Sequence, residues 1–372
     1  MSSSDKKSPP RKPPEAAARA PVPGAGPAGG TPAAQLIQRL PISTGPVAHL
    51  PQVKAPSLEG LSVTVPTPED LTQDDVLERF HELARAHAEV RPREEGEPVS
   101  LGDDVQLDIL GYANGHLIPF SVRVGHWMEL APQPMLPGFA EVLAEAEVGD
   151  SVEVGLLLPE DYPVEHLRGM PARFLVDIRA AREVRMPDTD SDELLRALGR
   201  GATHDEVVAS IVDELEAELS DLLWVDARDL VLDEVVARAD VRLPPGLVEE
   251  EIRRRWNQTE GEALARKNFS LEEQQEALDG WLQHPGIQAD AERRLKIALV
   301  LRAIAERDKL KLDPGKVVEV LEGPSAAFGI SPEQLRGSLA DPVTAAQLRD
   351  AAWHLFLVEH VMSHARVHFE GA

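Results

Sequence analysis

The sequence predicts a multidomain α+β chain. A small antiparallel sheet with one helix packed on it joins an elongated all-α region with helical arms, and a disordered tail precedes both. Three observations predict this. Apolar residues alternate with period two between about residues 99 and 185, and after Pro187 they recur every three or four residues. Residues 1–55 hold 11 of the 31 prolines and no aromatic residue, so they cannot bury enough apolar surface to offset their conformational entropy. The expected organisation is a tail over 1–55, a linker strand and helix over 56–97, a sheet domain over 98–185 and a helical domain over 186–372.

The elements follow in order. Residues 58–65 alternate, as a strand does. Thr67-Pro68 and Thr72-Gln73-Asp74-Asp75 carry helix-start signals, because a threonine hydroxyl accepts from an unpaired backbone N–H. Val76, Phe80 and Leu83 then share a helix face, and residues 91–98, polar and holding Pro92 and Pro98, read as a loop. Val105, Leu107 and Ile109 alternate with Gln106 and Asp108. Asn114-Gly115 is a hairpin turn, since both residues tolerate positive φ, and Phe120, Val122 and Val124 form the return strand. Phe139, Val142, Leu143 and Ala146 make a short helix that stops at Gly149-Asp150. Val152, Val154 and Leu156, then Phe174, Val176 and Ile178, are the last strands.

Beyond Pro187 nearly everything reads as helix. Capping boxes stand at Thr203–Glu206, Ser270–Glu273 and Ser331–Gln334. Ile211, Leu215, Leu219 and Leu222 trace one stripe. Ile297, Val300, Leu301 and Ile304, with Leu295 and Leu299 beside them, form a broader face. Leu222, Leu223, Trp224, Trp281, Trp353 and Phe356 are core or exposed binding surface, with core the favoured assignment.

The chain has 372 residues, a formal charge of −26 and no cysteine, which excludes disulfides, thiolate catalysis and thiolate metal sites. Seven Lys/Arg and two Asp/Glu give residues 1–55 a net charge of +5, leaving −31 for the remainder. A body this acidic is not built to neutralise phosphates, so no specific nucleic-acid partner is expected. No apolar run reaches the roughly 20 residues of a membrane span, and the N-terminus lacks a signal-peptide core. The expectation is a soluble cytoplasmic protein with no membrane partner.

Few motifs carry chemistry. Gly24-Ala25-Gly26-Pro27-Ala28-Gly29 matches a dinucleotide fingerprint but lies in the tail, without the strand and helix that would give it meaning. No phosphate loop, zinc-protease motif or nucleophile elbow occurs, so no cofactor is expected. Asp188, Asp190 and Asp192 begin like a calcium loop, but Glu193 stands where that loop needs glycine; an acidic linker is the better reading. His360, His364 and His368 would share a face on a helix, either as metal ligands or as cations near a helix C-terminus; the second is preferred, and no metal is expected. Leu36-Ile37-Gln38-Arg39-Leu40 is a docking motif or plain linker.

The runs MLPGFAEVL from 135 and LPEDYPVEHLRGMPARFLVDI at 158–178 resemble the FKBP-type prolyl isomerase domain of the trigger factor family. Gly102 to Asp108 resembles that domain's opening strand, REVRMPDTDSDEL from 182 its exit linker, and residues 56–97 the segment before it. EVVARADVRLPPGLVEEEI at 234–252 and DAERRLKIALVLRAIAERDKLKL at 290–312 resemble the family's helical, substrate-cradling domain. The resemblance implies an FKBP-like fold for the sheet domain and a prolyl pocket at Ile109, Ile118, Met135, Leu136, Phe139, Tyr162 and Phe174. Ile109 and Ile118 stand where aromatic walls are usual, and Pro119 where the small isomerases have an acid. It also implies unfolded or nascent polypeptides as clients. The family's GFRxGxxP ribosome-docking signature is missing, so docking by that route is not expected.

Prolyl isomerisation needs no acid, base or nucleophile. Its barrier is amide resonance, roughly 18–20 kcal/mol for peptide bonds, and an apolar pocket favours the twisted, less charge-separated amide. With its aromatic walls reduced, the pocket is expected to isomerise weakly or only to bind peptide. The function expected is an ATP-independent chaperone. The alternatives are an active isomerase, or an adaptor that recruits one partner through its tail.

Overall fold

The computed structural model describes residues 50–66, 70–118, 121–133, 136–162, 164–266, 269–326 and 329–370. The predicted tail up to residue 49, with its glycine motif and Leu36–Leu40, lies outside the described residues.

Strand β1 (Ser62–Val65) pairs in parallel with a strand at the far end of the chain, β8 (Arg366–Phe369). The expected elements do not include this second strand. Leu58, Leu61 and Val63 pack with Val231, Val235, Val300, Ile304 and Val361, so the segment expected to be a linker is built into the helical core. Arg238 donates to the carbonyls of Glu59 (3.0 Å) and Gly60 (3.1 Å), and Arg307 donates to that of Pro56.

Helix α1 (Gln73–Arg85) starts at the expected Thr72 signal, and Asp75 closes a capping box with it. Its Phe80 face packs on Leu194, Leu195, Val207 and Ile211. Strand β2 (Glu89–Pro92) corrects the loop assignment for residues 91 and 92. Polar side chains do not prevent pairing at a sheet edge, and Pro92 is the last paired residue.

Among the described residues the main sheet has six strands, all antiparallel. Its centre is the pair β3 (Asp104–Ala113) and β7 (Pro171–Arg185). Strands β4 (His116–Leu117) and β5 (Arg123–Glu129) pair with β3; β2 and β6 (Ser151–Leu157) pair with β7. Asn114 (φ 54°) and Gly115 (φ 83°) form the hairpin turn as expected. The return strand differs from expectation. It is broken into β4 and β5, Phe120 lies outside the described residues, Val122 precedes β5, and Val124 is exposed. Gly111 faces Phe174 across the ladder, where an added Cβ would lie 2.7 Å from the ring, so only glycine fits.

Helix α2 (Phe139–Leu143) lies on this sheet. A buried ion pair ties the sheet's rim: Arg93 donates to Asp103 at 2.6 Å, and Asp103 is 3% exposed.

The helical part comprises α3 (Asp192–Leu198), α4 (His204–Ala237), α5 (Pro245–Gln258), α6 (Glu260–Arg266), α7 (Leu271–Gln283), α8 (Pro285–Asp308), α9 (Val317–Ala326), α10 (Pro332–Ser338) and α11 (Pro342–Met362). All three expected capping boxes are present, at α4, α7 and α10. Helix α4 has 34 residues and extends about 51 Å. The broad face of α8 is buried throughout, from Leu295 to Ile304. Ser191 caps α3 and Asp188 accepts from the Asp190 N–H, as an acidic linker turn rather than a calcium loop.

Candidate functional site

The residues singled out for a prolyl pocket converge. Ile109 from β3, Phe139 from α2 and Phe174 from β7 share one buried cluster with Ile118, and Leu136 and Tyr162 pack at its edge. Gly138, at φ 83°, turns the chain so that Phe139 enters the sheet as the first helical residue. The Phe139 and Phe174 rings meet edge to face at 5.8 Å and 84°. Burial raises the Tyr162 phenol above its ordinary pKa. Met135 and Pro119 lie outside the described residues. Phe139 is 0% exposed, Ile118 1% and Phe174 3%, so these side chains are packed against one another.

The helical part offers a different surface. The stripe of α4 begins buried at Ile211, is half-buried at Leu215 and Leu219, and leaves the core at Leu222, which is 60% exposed. Trp224 and Val225 are each 45% exposed, and the Trp224 ring meets Phe369 of β8 edge on at 5.2 Å. Leu222 and Trp224 therefore depart from the favoured core assignment. The reason is that α4 joins two cores. Its first half packs on α1 and α3 through Val207 and Ile211, and its second on α8 and α11 through Val231, Leu232 and Val235. The buried face switches between them, and the turns at 219–226 belong to neither. Trp281 is buried as favoured, while Trp353 and Phe356 are half-buried and stacked.

Sequence reasoning also missed the contact between sheet and arm. Val122, Leu110 and Leu117 join Trp256, Leu264, Leu278, Trp281 and Ile287 in one cluster, and His116 reaches Glu276 of α7. Alternation placed Val122 on the return strand, but no local signal says that its partner is a helix some 150 residues away.

The three C-terminal histidines do not share a helix. Helix α11 ends at Met362, His364 lies in the turn, and His368 is on β8. His360 bonds Asp308 at 3.0 Å. Asp308 is held down to about 2, first by Arg307 and then by His360. Among the described residues no cluster of three or more His, Asp or Glu could hold a metal ion, and no helix is long and apolar enough to cross a membrane.

Known proteins resemble this chain in amino-acid sequence. The family model described as bacterial trigger factor protein C-terminus matches residues 203–361, that is, α4 to the end of α11. The trigger factor of Shouchella clausii is 27% identical over 299 residues, covering 78% of this chain and 67% of that one. The chain is similar to trigger factors over most of its length. The trigger factor of an Exiguobacterium species is 29% identical over 305 residues, with 79% of this chain and 67% of the relative covered. That of Geobacillus thermodenitrificans is 26% identical over 330 residues, with 87% and 75% covered. Two other trigger factor relatives are covered over only 61% and 58% of their length. A structure solved in a study of promiscuous substrate recognition by the trigger factor chaperone aligns over 84% of this chain and 73% of that one, at 16% identity and a TM-score of 0.31, too loose to bear on the placement of the arms.

Proposed function

We propose that the protein is an ATP-independent chaperone in protein folding, taking unfolded or nascent polypeptides as clients in the cytoplasm. The observation that carries this reading is the exposed apolar surface of α4 at Leu222, Trp224 and Val225, within the region matched to the trigger factor C-terminus. Burial of apolar area is worth roughly 25 cal/mol per Å² and has no directional demand, so such a surface accepts many sequences. Helix α4 carries eleven carboxylates and one arginine, which keeps a loaded complex soluble and repels acidic native surfaces.

A few partly buried apolar contacts support binding on the order of micromolar, weak enough to release without nucleotide. Anisotropy of a labelled, permanently unfolded polypeptide is therefore expected to rise over micromolar concentrations of the protein, equally with and without ATP. An ATP-dependent rise, or none, speaks against the reading.

We extend the proposal to the sheet unit, whose prolyl site at Ile109, Ile118, Met135, Leu136, Phe139, Tyr162 and Phe174 isomerises weakly or only binds peptide. Support comes from isoleucine at two positions where aromatic walls are usual and from the closed packing of Phe139 on Phe174. In a protease-coupled proline-peptide assay the expected rate stays within about tenfold of buffer, a difference of some 1.4 kcal/mol in barrier. An acceleration of about a thousandfold, some 4 kcal/mol, would make the chain an active isomerase instead.

A further inference from the structure

The exposed stripe of α4 has a candidate occupant within the same chain. Leu222 and Val225 lie three residues apart on one face, continuing Leu215 and Leu219, with Asp221 and Asp226 beside them. We propose that residues 36–40 of this chain, Leu-Ile-Gln-Arg-Leu, dock on that stripe and occupy it in the manner of a client.

Three features support this occupant over others. The first is charge. The segment belongs to a basic stretch, net +5 over residues 1–55, whereas α4 has eleven carboxylates and one arginine. Arg39 sits among three apolar residues, as a ligand for an apolar stripe bordered by aspartates should. The second is composition. Within a stretch dominated by proline, alanine, glycine and serine, residues 36–40 concentrate two leucines and an isoleucine. The third is reach. Val53 packs against the cluster that holds Val231, Leu232 and Val235 of α4 together with residues of α8 and α11, so the chain leaves the described structure beside that shared core. From Val231 to Leu222 is about 14 Å along the helix axis. The 13 residues from Val53 back to Leu40 can span up to about 43 Å. The segment therefore reaches the stripe with slack, and tethering gives it a millimolar-range effective concentration. Docking of the segment does not require that the stripe also take clients.

The absence of native cysteine makes the test direct, because introduced thiols report only the chosen pair. In the full chain, Gln38→Cys is combined either with Asp226→Cys, on the stripe, or with Ser220→Cys, at similar height on the opposite side of α4. Both α4 positions are exposed. A short bismaleimide is added to dilute protein, and products are separated by mass and mapped.

The expected result is an intramolecular link whose yield is about tenfold higher for the Asp226→Cys pair than for the Ser220→Cys pair, the excess set by effective concentration at a docked site. Adding Leu222→Asp to the favoured pair lowers its yield to that of the control. Equal yields at the two positions would overturn the proposal and leave the stripe to another partner. Links formed mainly between two chains would overturn it in favour of a second copy. Leu222 is exposed, so its substitution is tolerated, and the comparison of the two pairs holds without it.

Discussion

Truncating Phe139 to alanine is expected to lower stability by about 3–5 kcal/mol, the range for deleting a buried aromatic ring. Phe139 is 0% exposed, enters the sheet from the first position of α2, and meets Phe174 edge to face. Removing the ring leaves a cavity between α2 and the β3–β7 pair that Ile109, Ile118 and Ile178 cannot fill without leaving their own contacts. The loss is comparable with the whole stability of a small domain, about 5–15 kcal/mol. Calorimetry of the full chain should therefore show a transition from the sheet unit moving to lower temperature while the helical transition stays in place. A loss below about 1 kcal/mol would mean that Phe139 lines open space rather than a packed core, since only burial makes the deletion costly. The same variant thus measures how far the proposed prolyl site is closed by its own side chains.

Acidification is expected to destabilise the helical part through His354. This residue lies half-buried on α11. Burial first, and Arg228 second, pull its imidazole down to about 4 from the ordinary 6.5. The folded state resists a proton that the unfolded chain accepts. Stability is therefore complete above about pH 6.5 and falls as pH drops towards about 4. A tenfold change in proton affinity is worth about 1.4 kcal/mol, so the loss across this window is about 3 kcal/mol. Urea unfolding midpoints measured from about pH 7.5 to about pH 4 should decline accordingly, and His354→Leu should flatten the decline. Parallel curves for the two proteins would show that another group sets the slope. Asp308, held down to about 2 by Arg307, contributes in a lower window: its stabilisation is present above its unfolded value near 3.8 and is lost as pH falls towards 2.

Much of the fold was legible because its signals are local. Thr72, Thr203, Ser270 and Ser331 announce their helices through hydroxyls that cap the first turn, and all four cap as expected. Asn114-Gly115 sets its turn because both residues accept positive φ. Ile109, Phe139 and Phe174 could be grouped from the amino-acid sequence because a family pattern joins them. The strand β8 was not legible. Arg366 to Phe369 is four residues after a long helix, and it is a strand only because β1, about 300 residues earlier, offers it a ladder. For that reason the helical spacing of His360, His364 and His368 misled. The exposure of Leu222 and Trp224 was hidden too, since period alone cannot say where a helix passes from one core to another. The docking of Val122 on Trp256 and Trp281 is likewise a tertiary fact with no local trace.

Chaperone action is tested most directly by light scattering. Several unrelated, chemically denatured proteins are diluted into buffer with and without an equimolar amount of the full chain, and no nucleotide is present. Exposed apolar surface on an acidic scaffold should suppress the aggregation of all of them, because recognition by burial is indifferent to sequence. Scattering traces that coincide with the buffer control for every client would contradict a chaperone function.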